Sequence, residues 1–196
     1  MTETALADAP RYRSDMQQNE REFGQFIGLM SEFGVRSYLE IGSKWGGSLW
    51  RAVTSLPAGS TFVSIDLPQT ARDASDLDHC IRELRDMGYQ GSSYRGSSRD
   101  RAAAFVARLH ASRLEERRFG AALIDGDHTW TGVSADWETY GQMAKIVAFH
   151  DISWKPRGHT VIDVPAFWDY VRAGRRHIEI RLQEGHNGIG IIINGD

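Results

Sequence analysis

The 196-residue chain reads as an α/β domain: a seven-stranded, mostly parallel sheet between two layers of helices, ending in an antiparallel hairpin. Three observations predict this. Short apolar runs alternate with amphipathic helical segments along most of the chain, a pattern that demands parallel pairing and a sheet covered on both faces. The last two runs have no helix between them, only a Gly-His-Asn-Gly turn signal, so they pair antiparallel. The composition, 41% hydrophobic and 25% charged, suits one domain with a buried core. It excludes a disordered tail, a collagen-like fibre and a disulfide-dense miniprotein.

Residues 1–14 are polar and predict a flexible N-terminal tail, leaving 15–196 as a single domain that opens with a helix. That helix follows from Phe23, Phe26, Ile27, Met30 and Phe33 at helical spacing, with Gly34 as its stop signal. RSYLEIG is a buried-type strand, and GGSLWRAVTSL a helix with Leu49, Ala52, Val53 and Leu56 on one face. TFVSIDL is the second strand. Leu77, Ile81, Leu84 and Met87 mark a helix ending at Gly88, and SSYRGS is a weaker strand. Ala102, Phe105, Val106 and Leu109 predict the core face of the next helix, before the strand AALID. Trp130, Val133, Trp137 and Tyr140 keep helical spacing ahead of the strand KIVAFHD. Val164, Phe167, Trp168 and Val171 form the last helix, and HIEIRLQEG and GIGIIIN the closing hairpin.

Charge and composition narrow the function classes. The net charge is −3, which gives no electrostatic footprint for nucleic acid. Cys80 is the sole cysteine, so an intrachain disulfide and a thiolate metal cluster are both excluded. No apolar run approaches the roughly 20 residues that span a bilayer. The acidic start lacks the basic and apolar regions of a signal peptide, so the expectation is a soluble, cytoplasmic protein without a membrane partner.

In an open parallel sheet, ligands bind in the crevice beyond the carboxyl ends of the strands. Polar residues interrupt the apolar runs at just those ends: Glu40, Asp66, Ser97, Asp125 and His150. LEIGSKWGGS runs from strand to helix; Gly42 allows a tight turn, and Gly46 and Gly47 permit close approach to the helix start. Asp66 ends the next strand about 20 residues later, where an acid accepts hydrogen bonds from a ribose diol. The spacing is not G-x-G-x-x-G, which argues against a dinucleotide fingerprint. IDGDHTW places Asp125, Asp127 and His128 within one turn, and AFHD puts His150 and Asp151 on the neighbouring strand end. Parallel neighbours lie about 4.8 Å apart, so Asp125, His150 and Asp151 can converge on a divalent metal such as Mg²⁺ or Mn²⁺. The same types also serve as helix caps and turn residues, which is the competing structural role of Asp127, His128 and Asp151.

The series LEIGSKWGGS, FVSIDL, IDGDHTW…ADWE and VAFHDIS resembles the class I S-adenosylmethionine-dependent methyltransferases. More narrowly, it is similar to the small O-methyltransferase group that includes macrolide-sugar methyltransferases and cephalosporin hydroxylase-like proteins. The likeness runs from about Arg36 to the C-terminus and implies a Rossmann-like three-layer sandwich. It implies that Glu40, Gly42, Ser43, Gly46 and Ser48 surround the methionine part of S-adenosylmethionine. Asp66 would bind the ribose, Ser97 the adenine side, and Asp125 the region of the sulfonium. In metal-dependent members the strand of His150 usually ends in paired acids or an Asp followed by Asn. The pair His150 and Asp151 departs from that and shifts the preference from Mg²⁺ towards Mn²⁺, Fe²⁺ or Zn²⁺.

The implied reaction is displacement at the sulfonium methyl carbon by the oxygen of a small hydroxyl acceptor, with His128 as general base and Asp125 beside it. The loop SWKPRGHT, with Trp154, Lys155, Arg157 and His159, offers an acceptor pocket, to which the N-terminal helix or a second subunit of a homo-oligomer can contribute. Three alternatives use the same residues differently. They are a dinucleotide-dependent oxidoreductase, a non-catalytic cofactor-binding module, and a metal-dependent hydrolase.

Overall fold

The computed structural model describes residues 11–155, 162–182 and 187–195. After a 3₁₀ turn at Arg11–Arg13, the elements are α1 (Glu20–Glu32), β1 (Ser37–Ile41), α2 (Gly47–Thr54), β2 (Thr61–Asp66), α3 (Ala71–Asp86) and β3 (Gln90–Arg95). They continue with α4 (Arg101–Ala111), β4 (Phe119–Ile124), α5 (Trp130–Tyr140), β5 (Ala144–His150), α6 (Val164–Val171), β6 (His177–Ile180) and β7 (Ile189–Ile193). The sheet order is β3-β2-β1-β4-β5-β7-β6. The first five strands are parallel, and β7 lies antiparallel between β5 and β6. This is the Rossmann-like sandwich with a reversed final hairpin that the alternation of runs predicts.

Each face of the sheet carries its own core. Phe23, Phe26 and Met30 of α1, Leu49 and Val53 of α2, and Leu77 and Leu84 of α3 pack on one side. Ala103 and Ala107 of α4, Val133 of α5, and Phe167 and Trp168 of α6 cover the other. β1, buried along its whole length, divides the two. Helix starts are fixed locally: Asn19 accepts the Arg21 and Glu22 amides, Thr70 that of Asp73, and Thr129 that of Gly132.

The sequence expectation for α4 holds only for Val106, which is partly buried against the core. The core face of α4 is Ala103, Ala107 and Ala111, whereas Phe105 is 64% and Leu109 39% exposed. Two apolar stripes at i, i+4 spacing lie side by side on this helix, and periodicity cannot choose between them. The alanine stripe faces inward because small side chains let the helix approach the sheet closely. Met87, expected in the core of α3, is 50% exposed because it sits at the helix C-cap. Tyr12, within the stretch read as tail, is 2% exposed, so residues 11–14 pack on the domain. Residues 183–186, which include the first half of the expected Gly-His-Asn-Gly turn, lie outside the described residues. No helix among the described residues is long and apolar enough to cross a membrane.

Candidate active site

Register assembles the site. β1 pairs Ile41 with Ile65 of β2 and Ile124 of β4, while β4 pairs Ile124 with Phe149 of β5. The next residue on each strand leaves the sheet at the same edge, so Asp66, Gly42, Asp125 and His150 emerge side by side. A cleft of about 1070 Å³ opens there, lined among others by Gly42, Asp66, Ser97, Asp125, His128, His150 and Asp151.

Gly42 has φ +90°, and a Cβ on it would lie 2.2 Å from the Asp125 carbonyl oxygen. Only glycine lets these two turns meet. Asp66 reaches across with Oδ1, which accepts the Lys44 amide at 2.8 Å. Its Oδ2 is buried and has no hydrogen-bond partner among the described residues. Burial raises the Asp66 pKa.

Not every residue expected around the cofactor reaches the cleft surface. Glu40 is fully buried under the glycine turn, where it accepts hydrogen bonds from Tyr38 at 2.7 Å and Ser48 at 3.0 Å. Burial pushes it up to about 7. Ser43 bonds Ser64 at 2.8 Å, and Gly46 makes room for Cys80, whose Sγ would lie 2.9 Å from an added Cβ. Glu40, Ser43, Gly46 and Ser48 therefore shape the turn from behind, while Gly42, Asp66, Ser97 and Asp125 face the cleft.

At the other end, four ionisable side chains close into a ring. Asp125 Oδ1 lies 3.1 Å from His128 Nε2 and 3.3 Å from His150 Nδ1. His150 Nδ1 is 3.1 Å from Asp151 Oδ1, and His128 Nδ1 is 3.4 Å from Asp151 Oδ2. Burial alone would raise Asp125, but the two histidines outweigh it and hold the carboxyl well below the usual range. Burial disfavours both imidazolium forms, yet the facing carboxylates raise His128 and His150. Burial leaves Asp151 raised despite the histidines. Asp151 also sits at φ +67°, in the left-handed region that Asp tolerates better than most residues.

All four expected residues thus come together. Asp125, His128 and Asp151 each offer a ligand atom, all within 4.8 Å of one another, a donor set that fits a divalent ion. His150 stands differently: its Nδ1 faces both carboxylates, and its Nε2 is buried without a partner among the described residues. Asp127 does not cap α5, whose cap is Thr129; it accepts the Thr129 amide at 3.0 Å and hydroxyl at 2.8 Å and so holds the cap residue in place. Trp154 lines the cleft and Lys155 is exposed, while Arg157 and His159 lie outside the described residues.

Several site residues carried no signal in the sequence. Gln17, Arg99 and Asn187 line the cleft, and Gln18 donates its amide to Asp125 Oδ2. Glu22, fully buried, accepts the Gly188 amide at 3.2 Å and so ties α1 to the start of β7. A glutamine in a polar lead-in, or an acid in the first turn of a helix, looks like ordinary surface until the fold brings it inside.

No family model matches the chain, and no curated protein matches it. Solved structures do. An O-methyltransferase from Bacillus cereus in complex with S-adenosylhomocysteine is 18% identical, with 97% of this chain and 86% of that chain covered and a TM-score of 0.62. The O-methyltransferase TomG from Streptomyces achromogenes, involved in tomaymycin synthesis and bound to S-adenosylmethionine, is 14% identical. It is covered over 92% of its length, and this chain over 100%, with a TM-score of 0.66. Cofactor-bound Rv0187 from MTB is 13% identical over 97% of this chain and 85% of that one, with a TM-score of 0.61. At these identities the likeness establishes a common fold.

Proposed function

We propose that the chain is an S-adenosylmethionine-dependent methyltransferase that methylates a hydroxyl group of a small polar acceptor. The observation that carries this reading is one cleft holding two complementary ends. A buried carboxylate oxygen of Asp66, without a partner among the described residues, would receive ribose donors at one end, and the His128–Asp125 pair stands at the other. The structural neighbours bound to S-adenosylmethionine or its product support the same reading.

When bound, the sulfonium supplies a methyl carbon already activated for displacement. The acceptor oxygen bonds to that carbon as the carbon–sulfur bond breaks, with the electron pair leaving on sulfur. His128 takes the hydroxyl proton. Asp125 receives Nε2–H, which fixes the ring and leaves Nδ1 to act as the base. Nδ1 faces Asp151 Oδ2 at 3.4 Å, and as the base it would take the proton of an acceptor hydroxyl brought within hydrogen-bond reach. The test is calorimetry with S-adenosylhomocysteine and with NAD⁺, then methyl transfer to a panel of hydroxyl compounds. Binding of NAD⁺ but not S-adenosylhomocysteine would refute the reading in favour of an oxidoreductase.

The clustering of Asp125, His128 and Asp151 favours a second reading of the acceptor end. There these residues hold a divalent ion, whose chemistry would be to lower the pKa of the acceptor hydroxyl. His150 then orients the two carboxylates through Nδ1, and His128 is a ligand rather than a base. Dialysis against a chelator separates the two: loss of turnover restored by Mn²⁺ or Mg²⁺ selects the metal reading.

A further inference from the structure

The loop after β3 forms one wall of the cleft, with Gly96, Ser97, Ser98 and Arg99 all lining it. β2 and β1 separate β3 from β4 in the sheet. Even so, the loop is tied to residues that follow β4. It starts beside Asp66, whose carbonyl accepts the Gly96 amide at 2.9 Å. At its far end Arg99 pairs with Asp127 at 3.3 Å, and the Tyr140 hydroxyl of α5 donates to the Ser98 carbonyl at 2.5 Å.

Tyr140 is fully buried, so its hydroxyl needs a partner inside the protein. The partner it takes controls a short chain of bonds. The Ser98 carbonyl and the Arg99 amide belong to one planar peptide. Tyr140 holds the carbonyl, while the amide donates to Ser97 Oγ at 3.2 Å. Both polar groups of that peptide are thus committed, and its plane cannot turn without breaking a bond. A serine hydroxyl has one proton to give. Because Ser97 Oγ accepts from Arg99, its proton points elsewhere, and it donates to no partner among the described residues. Ser97 is partly exposed, on the cleft wall.

Under the methyltransferase reading, on which this inference rests, Ser97 stands at the adenine end. The ring nitrogens N1, N3 and N7 of adenine carry no proton and accept hydrogen bonds, which matches a free hydroxyl donor. We propose that the Ser97 hydroxyl donates to a ring nitrogen of adenine, and that Tyr140 is the positioning residue that keeps it aimed by fixing the Ser98–Arg99 peptide.

The experiment is calorimetry with S-adenosylhomocysteine and its 1-deaza, 3-deaza and 7-deaza analogues, each of which replaces one ring nitrogen by C–H. In the parent at least one analogue should bind about threefold to tenfold more weakly than S-adenosylhomocysteine, as for one neutral hydrogen bond. Ser97→Ala should bring S-adenosylhomocysteine down to the level of that analogue. Tyr140→Phe, which removes only the hydroxyl oxygen, should shrink the same difference to within about twofold. The analogue itself should bind both variants within about twofold of the parent, which also shows that they fold. Four ligands bound alike by the parent, a difference that survives Ser97→Ala, or a Tyr140→Phe loss equal for all four would overturn the inference and leave the methyltransferase reading intact. A parent protein that binds none of the four would overturn both.

Discussion

Asp66→Ala probes the cofactor end directly, and its magnitude can be worked from the geometry. Oδ1 is committed to the Lys44 amide at 2.8 Å, while Oδ2 is buried and has no partner among the described residues. Of the two ribose hydroxyls, one can therefore make a full charge-assisted bond to Oδ2, and the other must share Oδ1 with Lys44. One such bond contributes about 1.5–3 kcal/mol, or roughly a tenfold to 150-fold change in dissociation constant. The substitution also frees the Lys44 amide in a turn where Lys44 itself has φ +49°, so some loss of thermal stability should accompany it. Asp66→Asn separates the two effects: it keeps an oxygen for Lys44 but loses the charge, and should bind with intermediate affinity. There is a pH signature as well. Burial raises the Asp66 pKa, and donors arriving on Oδ2 favour the ionised form. S-Adenosylhomocysteine affinity should then fall as pH drops through that raised pKa, and the fall should vanish in Asp66→Asn. The assay is calorimetry with thermal melts as a control for folding. Affinity of Asp66→Ala within about twofold of the parent would refute the ribose assignment.

Three further outcomes are expected. If His128 is the base, turnover should rise with pH through an apparent pKa above the ordinary 6.5 or so, because Asp125 and Asp151 raise it against the effect of burial; Asp125→Asn should move the midpoint down, and a pH–rate profile reads it. If Asp125, His128 and Asp151 hold an ion, Mn²⁺ titration should show a site that Asp151→Asn weakens by about tenfold or more, with S-adenosylhomocysteine affinity preserved; no Mn²⁺ binding by the parent would sink it. Gly42→Ala should destabilise the fold by about 3 kcal/mol or more, since the new Cβ meets the Asp125 carbonyl at 2.2 Å and φ is +90°; a melting temperature unchanged from the parent would contradict this.

The stability of the ring has its own sign. His150 is raised in the folded state by Asp125 and Asp151 despite burial. Its contribution is therefore full below the unfolded pKa of about 6.5 and is lost as pH rises through the higher folded value. Asp125 works oppositely: burial opposes its ionisation, but the histidines depress its pKa, so its contribution is present above about pH 3.9 and lost on acidification.

What the sequence determined by itself was everything that depends on local pattern. The alternation of apolar runs and amphipathic segments specified the strands, helices and final hairpin, because period and turn chemistry are properties of neighbouring residues. The polar residues at strand ends marked Asp66, Asp125, His150 and Asp151, since a parallel sheet must send its carboxyl ends to one edge. Tertiary structure alone decided the rest. It chose the alanine stripe of α4 over Phe105 and Leu109, a choice made by the space above the sheet. It set Glu40 and Ser43 behind the glycine turn instead of in the cleft, because β1 is buried along its whole length there. It drew Gln18 and Glu22 into the site from a lead-in segment and a helix start. Their roles rest on contacts with residues more than a hundred positions away, and no local pattern encodes such distances.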